Sequence, residues 1–314
     1  MTDASPQLTP HRRSQDILSF FTWPILVTLP LVVFYHSLEI FGTGKGIGVG
    51  ALFTFGLWFL FEWLCPYRHD WKKKTDRQLY NNIFHMTLSI SGRIFLQQWF
   101  NVVAFVAISN ALIQNDFQNV LTLWPSHWPA PLQIVLCLLI AEGLNYWRHR
   151  LLHETSWLWP MHTLHHSVDR LHSLKGGNTH IIEAALAFFV VVPPLILLGC
   201  PPEIFVWVGV ANMVAPTHAN IRMTLPAFVH YLAVTPAVHY LHHSKDIAYG
   251  NSNYASVLPI WDIVFGTFRH PDTHHYRTIG IDDDRMPDDL PGQLLAPFNW
   301  YRLEQRRDDS EGNG

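Results

Sequence analysis

Two apolar blocks near the amino end, Ile17 to Tyr35 and Gly48 to Cys65, each have about the ~20 residues a helix needs to cross the hydrocarbon core of a bilayer. Lipid offers no partner for backbone N–H and C=O groups, so such blocks are expected to fold as helices. The first block is too long for the apolar core of a signal peptide, and no small-residue cleavage site follows it, so it reads as a retained anchor. A third apolar stretch, Ile83 to Ile113, is interrupted by Arg93 and by Gln97 and Gln98; it reads as one long tilted helix or as a shorter helix preceded by an interfacial segment. The fourth, Pro131 to Trp147, runs directly into Arg148-His149-Arg150. A fifth and a sixth lie between Ile181 and Val214, parted by Gly199-Cys200-Pro201-Pro202, whose prolines punctuate a pair of helices too short to cross comfortably. The chain is 49% hydrophobic and 14% charged, where soluble domains carry about 25% charged residues, so the blocks are not core helices of a soluble protein. The expected fold is all-α, a polytopic membrane bundle of about 4–6 membrane helices with a cytoplasmic-side, histidine-rich helical cap.

Charge placement orients this bundle. The most basic stretch, Arg68 to Arg77 with Lys72, Lys73 and Lys74, is expected to stay cytoplasmic. If Arg12 and Arg13 also lie inside, successive spans return both that loop and Arg148 to Arg150 to the same side. The net charge of −3 is unevenly spread and implies neither a polyanionic partner nor nucleic acid. Cys65, Cys137 and Cys200 have no CxxC spacing, which excludes a disulfide framework and an iron–sulfur site.

Three histidine clusters carry the chemistry: His149 with His153; His162 with His165 and His166; His239 with His242 and His243. Neighbours within each are adjacent or three to four residues apart, which gathers imidazoles on one helix face. Eight such ligands exceed what one ion takes, since a four-coordinate zinc would use half of them, so two metal ions side by side are expected. The second and third clusters share the form H-x-L-H-H-S-x-D, in His162 to Asp169 and His239 to Asp246, so each is expected to build half of a metal pair, closed by His149 and His153. Asp169 and Asp246 would anchor a helix, accept a hydrogen bond from a ligating ring, or stand as solvated charges. Glu142 lies near the stripe of Tyr146 and His149, where it would orient a ring or sit as a helix-end charge at the interface.

With these residues in place the chain resembles the fatty acid hydroxylase and sterol desaturase superfamily. Tyr146-Trp-Arg-His149-Arg-Leu-Leu-His153 is similar to its first box, and Asn253-Tyr254 with Trp261-Asp-Ile-Val-Phe-Gly-Thr267 is similar to the segment after its last. His180-Ile-Ile-Glu183 and His218-Ala-Asn220 match two further elements, with Ile181 in place of a proline. Glu142 stands where the family more often has Asp, and Asn178 where it often has Arg. The resemblance implies a catalytic domain over residues 131–270, after membrane helices and a basic loop at 17–130 and a polar tail at 1–16. It implies two iron ions, O2 as cosubstrate, and hydroxylation or desaturation of a lipid taken from the bilayer. Electrons would come from a ferredoxin or a cytochrome b5-like protein with its reductase. The eight box histidines would be catalytic, His218 a ninth ligand, and His180 a ligand or a support for one. Imidazole suits iron, zinc, copper and nickel alike, so iron rests on the resemblance.

Other readings stay open. A metal-dependent lipid enzyme of another reaction type could use the same scaffold. A metal transporter or storage protein would place histidines at midplane depth within the spans, whereas here they follow the spans. His172 and His230 read as polar surface or interface residues, and His270, His274 and His275 as a solvated turn. His11, His36, His69, His85 and His127 have no partner at ligand spacing. Residues 271–314 read as a partly disordered tail with a short amphipathic piece from Pro291 to Tyr301.

Overall fold

A computed structural model describes residues 13–73, 78–113, 123–274, 278–282 and 285–312. The described residues are helical, and pairing between extended segments is confined to the isolated bridges Pro66–Ile221 and Ser244–Ile279. The helices are α1 (Arg13–Leu64), α2 (His69–Lys73), α3 (Leu79–Ile113), α4 (Ala130–Glu154), α5 (Trp159–His166) and α6 (Ile181–Leu197). They continue with α7 (Pro202–Val214), α8 (Val229–Leu232), α9 (Pro236–His242), α10 (Ile247–Gly250), α11 (Ile260–Val264) and α12 (Leu290–Gly312). Two compact units result, each built from separated stretches of chain. The first takes residues up to 75 with 169–176 and 206–280; the second takes 76–168, 177–205 and 281 onward.

In the first unit α1 is two arms. Gly42 has φ 72 and ψ 175, a conformation that glycine adopts without strain and that reverses the chain. The arms run back along one another: Ser37 Oγ donates to the Gly46 carbonyl at 2.9 Å, and a Cβ added to Gly50 would fall 2.3 Å from the Phe34 ring. Further along, Leu26 of the first arm shares a buried cluster with Trp58 and Phe61 of the second and with Ala219 and Ile221. Phe34 packs with Val210 and Val214 of α7. The short helices α8 to α11 follow, and α9 begins at Thr235, whose side chain accepts from the Val238 N–H, with Pro236 in the first turn.

In the second unit α6 packs on both α3 and α4, and α5 packs on α4 and α12. The side chains demand this closeness. Ser89 Oγ donates to the Thr179 carbonyl at 2.6 Å, and a Cβ at Gly92 would meet Ile181 at 2.4 Å. The buried stripe of α4, Gln133, Cys137, Ala141, Glu142, Tyr146, His149 and Leu152, recurs at helical spacing and carries His149 inward. Cys65, Cys137 and Cys200 are free thiols, and Cys137 Sγ stands 3.5 Å from Cys200 Sγ.

Among the described residues two helices are long and apolar enough to cross a membrane by length and composition, Ile17–Leu64 and Ala130–Glu154. Because the first folds back at Gly42, each of its arms is itself about one bilayer long. The third apolar stretch is one continuous helix. At the carboxyl end α12 takes in the piece expected from Pro291 to Tyr301 and runs from Leu290 to Gly312. Gln293, Ala296 and Trp300 form its buried face at positions i, i+3 and i+7, with Gln293 against His85 at 3.1 Å and the Arg285 guanidinium 4.3 Å from the Trp300 ring centre.

Candidate metal centre

The second unit gathers one histidine group. On α4, His149 and His153 are one turn apart with ring centres separated by 5.1 Å. Helix α5, opened by Pro160 in its first turn, presents His162, His165 and His166, all buried. His162 Nε2 lies 2.9 Å from His149 Nε2 and 3.1 Å from His166 Nε2. Ligand nitrogens of His149, His153, His162 and His166 all fall within 4.8 Å of one another.

The first unit gathers another. His239 and His243, at either end of the last turn of α9, meet His218, which follows α7. The three Nε2 atoms form a triangle: His218 to His239 3.0 Å, His218 to His243 3.2 Å and His239 to His243 3.1 Å. The shared H-x-L-H-H-S-x-D form is thus a shared geometry. Ring centres of the first and third histidines are 4.7 Å apart in α5 and 4.8 Å in α9. The first and second are 5.1 Å and 5.2 Å apart, with interplanar angles of 30° and 29°. His149 and His153 both stand with the histidines of α5, and His218, rather than either of them, stands with those of α9.

The donor sets fit a metal ion. A neutral imidazole Nε2 either donates or accepts, so among three mutually close Nε2 atoms at least two must be alike and repel. A cation that takes all three lone pairs removes the conflict. Cis ligands on an ion about 2.1 Å away would be about 3.0 Å apart, close to the observed edges. Tautomers follow from the outer contacts. His242 Nδ1 donates to the Ser252 carbonyl at 2.8 Å, and His165 Nδ1 stands 3.4 Å from the Asn178 carbonyl, which leaves Nε2 of each ring with its lone pair. Burial, reinforced by His162, pushes the His165 imidazole down to about 4, so it is neutral at physiological pH.

The other residues singled out from the sequence have contacts of their own. His180 caps α6: its Nδ1 accepts from the Ile182 N–H at 3.2 Å and its Nε2 donates to the Leu294 carbonyl at 3.2 Å. Both ring nitrogens are thus engaged with backbone groups. The residue that sequence reasoning passed over is Glu183 of the same element, whose Oε1 stands 2.9 Å from His162 Nδ1 and 3.2 Å from Arg148 Nη1. A carboxylate three residues after a histidine at the start of an apolar helix was the available signal. Glu142 is 2% exposed on the α4 stripe. Asp246 caps α10 by accepting from the Ala248 N–H at 3.0 Å, and Asp169 pairs with Arg170 at 2.8 Å. His270 is buried rather than solvated, donating to the Ala227 carbonyl at 3.0 Å with its ring 5.2 Å from that of His230, which is buried as well. His274 is half-buried beside Tyr249, and His275 lies outside the described residues.

Buried groups of imidazoles on a helical scaffold make two candidate metal sites of the histidine-box kind. Residues 134–267 match the fatty acid hydroxylase family. The chain is 34% identical over 284 residues to ornithine lipid hydroxylase OlsE of Rhizobium tropici, covering 90% of this chain and 84% of that protein. Alkylglycerol monooxygenase of Caenorhabditis elegans is 29% identical over 162 residues, 48% of this chain but 30% of that protein. Methylsterol monooxygenase 1 of Rattus norvegicus is 25% identical over 229 residues, 67% of this chain and 70% of that protein. No solved structure matches. The chain belongs to the fatty acid hydroxylase family, and it is an oxidoreductase that acts on a lipid.

Proposed function

We propose that this protein is a di-iron hydroxylase of a membrane lipid. One atom of O2 enters a C–H bond to give an alcohol, and the other leaves as water after taking two electrons and two protons. The observation that carries this reading is the Nε2 triangle of His218, His239 and His243, a set of three lone pairs at the spacing of adjacent ligands on one ion. When bound, the metal supplies the activation of dioxygen, which no side chain of this protein can provide.

The chain's own residues hold and orient. His149, His153, His162 and His166 take one ion, and His218, His239 and His243 the other, with His165 and His242 adding Nε2 donors. Glu183, held by Arg148, would set the His162 ring, and all-imidazole ligation would add no negative charge to a bound metal. Hydroxylation is favoured over desaturation because the similar proteins are named as hydroxylases or monooxygenases. The substrate is an ornithine lipid or a close relative, since the similarity to OlsE spans most of both chains. Electrons come from a ferredoxin or a cytochrome b5-like protein with its reductase. The two arms of α1 with α3 and α4 cross the membrane, and the histidines lie on the cytoplasmic side, as the basic residues at 68–77 and 148–150 favour.

The test is comparative lipidomics in a host that makes ornithine lipids, carrying wild type, His239→Ala or His165→Ala, together with metal analysis of each purified protein. Wild type is expected to bind two irons and to convert an ornithine lipid to a species with one more oxygen, and both variants to lose the product. If no lipid gains oxygen, the hydroxylase reading fails. A gain on an ether lipid or a sterol instead would reassign the substrate.

A further inference from the structure

Glu62 lies in the last turn of α1, where the helix end is already negative and a carboxylate gains nothing from the helix itself. Its partners are elsewhere. Oε1 accepts three hydrogen bonds: from the Ser173 N–H at 2.8 Å, the Ser173 hydroxyl at 2.9 Å and the Asn220 N–H at 2.9 Å. One oxygen therefore ties the turn at 173–177 to the segment that carries His218.

Both tied segments bear on that imidazole. Asn220 is two residues beyond His218 and is held from its other side, with Oδ1 accepting from the Arg68 N–H at 2.8 Å and Nδ2 donating to the Arg68 carbonyl at 2.9 Å. Gly176, three residues after Ser173, approaches so closely that an added Cβ would lie 3.0 Å from His218 Nδ1. Thr217 Oγ1 sits 3.1 Å from the same nitrogen. Tyr240, between His239 and His242 on α9, donates its hydroxyl to the Ala219 carbonyl and so links the two ligand-bearing segments.

We infer that Glu62 is a positioning residue for His218: through Ser173 and Asn220 it sets the distance of the 218–220 segment from Gly176, and hence the direction of His218 Nε2 toward His239 and His243. This rests on the reading of His218 as a metal ligand. Without the Glu62 oxygen, three donors must be satisfied by rearrangement, and the ring loses the wall against which it is set. Loss of such outer support costs about 10- to 100-fold in metal affinity in other metal sites.

The test uses the full chain in detergent, stripped of metal and titrated with Co2+, with ligand-field absorption and bound Co2+ per chain as readouts. Glu62→Ala is expected to weaken one of two Co2+ sites at least tenfold and change its absorption, leaving the other intact. Glu62→Gln, which keeps an acceptor oxygen in place, is expected to restore most of the affinity. His218→Ala reports separately on the underlying reading: if it leaves both sites unchanged, His218 is not a ligand. If His218→Ala weakens one site while Glu62→Ala leaves both affinities and spectra as in wild type, the positioning role is overturned. It is equally overturned if Glu62→Ala weakens both sites alike, or if Glu62→Gln behaves as Glu62→Ala.

Discussion

Glu183 Oε1 stands 2.9 Å from Nδ1 of His162, the ring whose Nε2 meets both His149 and His166. One buried carboxylate thus orients the central imidazole of a four-histidine group, and Arg148, 3.2 Å away, balances its charge. With a metal at Nε2, a carboxylate so placed would favour one tautomer and raise the donor strength of that nitrogen. Glu183→Gln is expected to keep the fold and lower metal affinity at this group about 10- to 100-fold. Metal retained after dialysis against a chelator measures it, and undiminished retention would refute the role.

Gly176 and Gly209 give a matched pair of alanine substitutions. A Cβ at Gly176 would press on His218 Nδ1 at 3.0 Å, whereas at Gly209 in α7 nothing lies within 4 Å. Gly176→Ala is expected to displace the ring and weaken metal binding about tenfold, the low end of what lost outer support costs. Gly209→Ala is expected to leave binding alone and stabilise the helix by about 0.5–1 kcal/mol. Cobalt titration and thermal melting of the two proteins separate these effects.

The helices and the two boxes were legible in the sequence because their signals are local. Apolar length announced the arms of α1 and α4, and three- and four-residue spacing announced His162–His166 and His239–His243 on helices. What pairs with what was not local. His218 has no ligand-spaced neighbour, and its place beside His239 depends on Pro66 pairing with Ile221 and on Tyr240 reaching Ala219. A histidine just before an apolar helix, such as His180, can ligate or cap, and the Leu294 carbonyl that its ring meets lies more than a hundred residues on. The contacts of α12 were not legible either, since His85 and Arg285, the partners of Gln293 and Trp300, carry no spacing signal.

Asp262 accounts for the W-D-x-x-F-G-T segment in structural terms. Its carboxylate is 1% exposed and accepts from the Tyr254 N–H at 2.9 Å, the Ala255 N–H at 2.8 Å and the Thr267 hydroxyl at 2.7 Å. Gly266, with φ 73, makes the turn that brings Thr267 back. Asn253, joined to this loop, donates to the Val238 carbonyl of α9 at 3.1 Å, which braces the helix of His239 and His242. Asp262→Ala strands three donors and is expected to destabilise the protein by about 3 kcal/mol or more, while Asp262→Asn recovers part of this. Thermal melting in detergent measures both; equal melting of wild type and Asp262→Ala would overturn the assignment.

His230 gives the fold a dependence on pH away from the metal ligands. Burial, with the neighbouring His270 adding to it and Asp272 opposing, lowers its pKa below the usual 6.5. The imidazole is held neutral between α8 and the following turn, with Nδ1 2.8 Å from Thr235 Oγ1. In the unfolded chain the ring takes up a proton near pH ~6.5, so below that the unfolded state binds more protons than the folded one, and stability falls as the pH falls. The effect is absent well above the unfolded pKa, and it is complete once the pH drops through the lowered folded value. The metal-free protein should therefore melt at progressively lower temperature on acidification below about 6.5, with His230→Gln showing a shallower decline than wild type. Other buried imidazoles contribute to the total, so the difference between the two proteins is the measure, and parallel curves would show that His230 stays protonated in the fold.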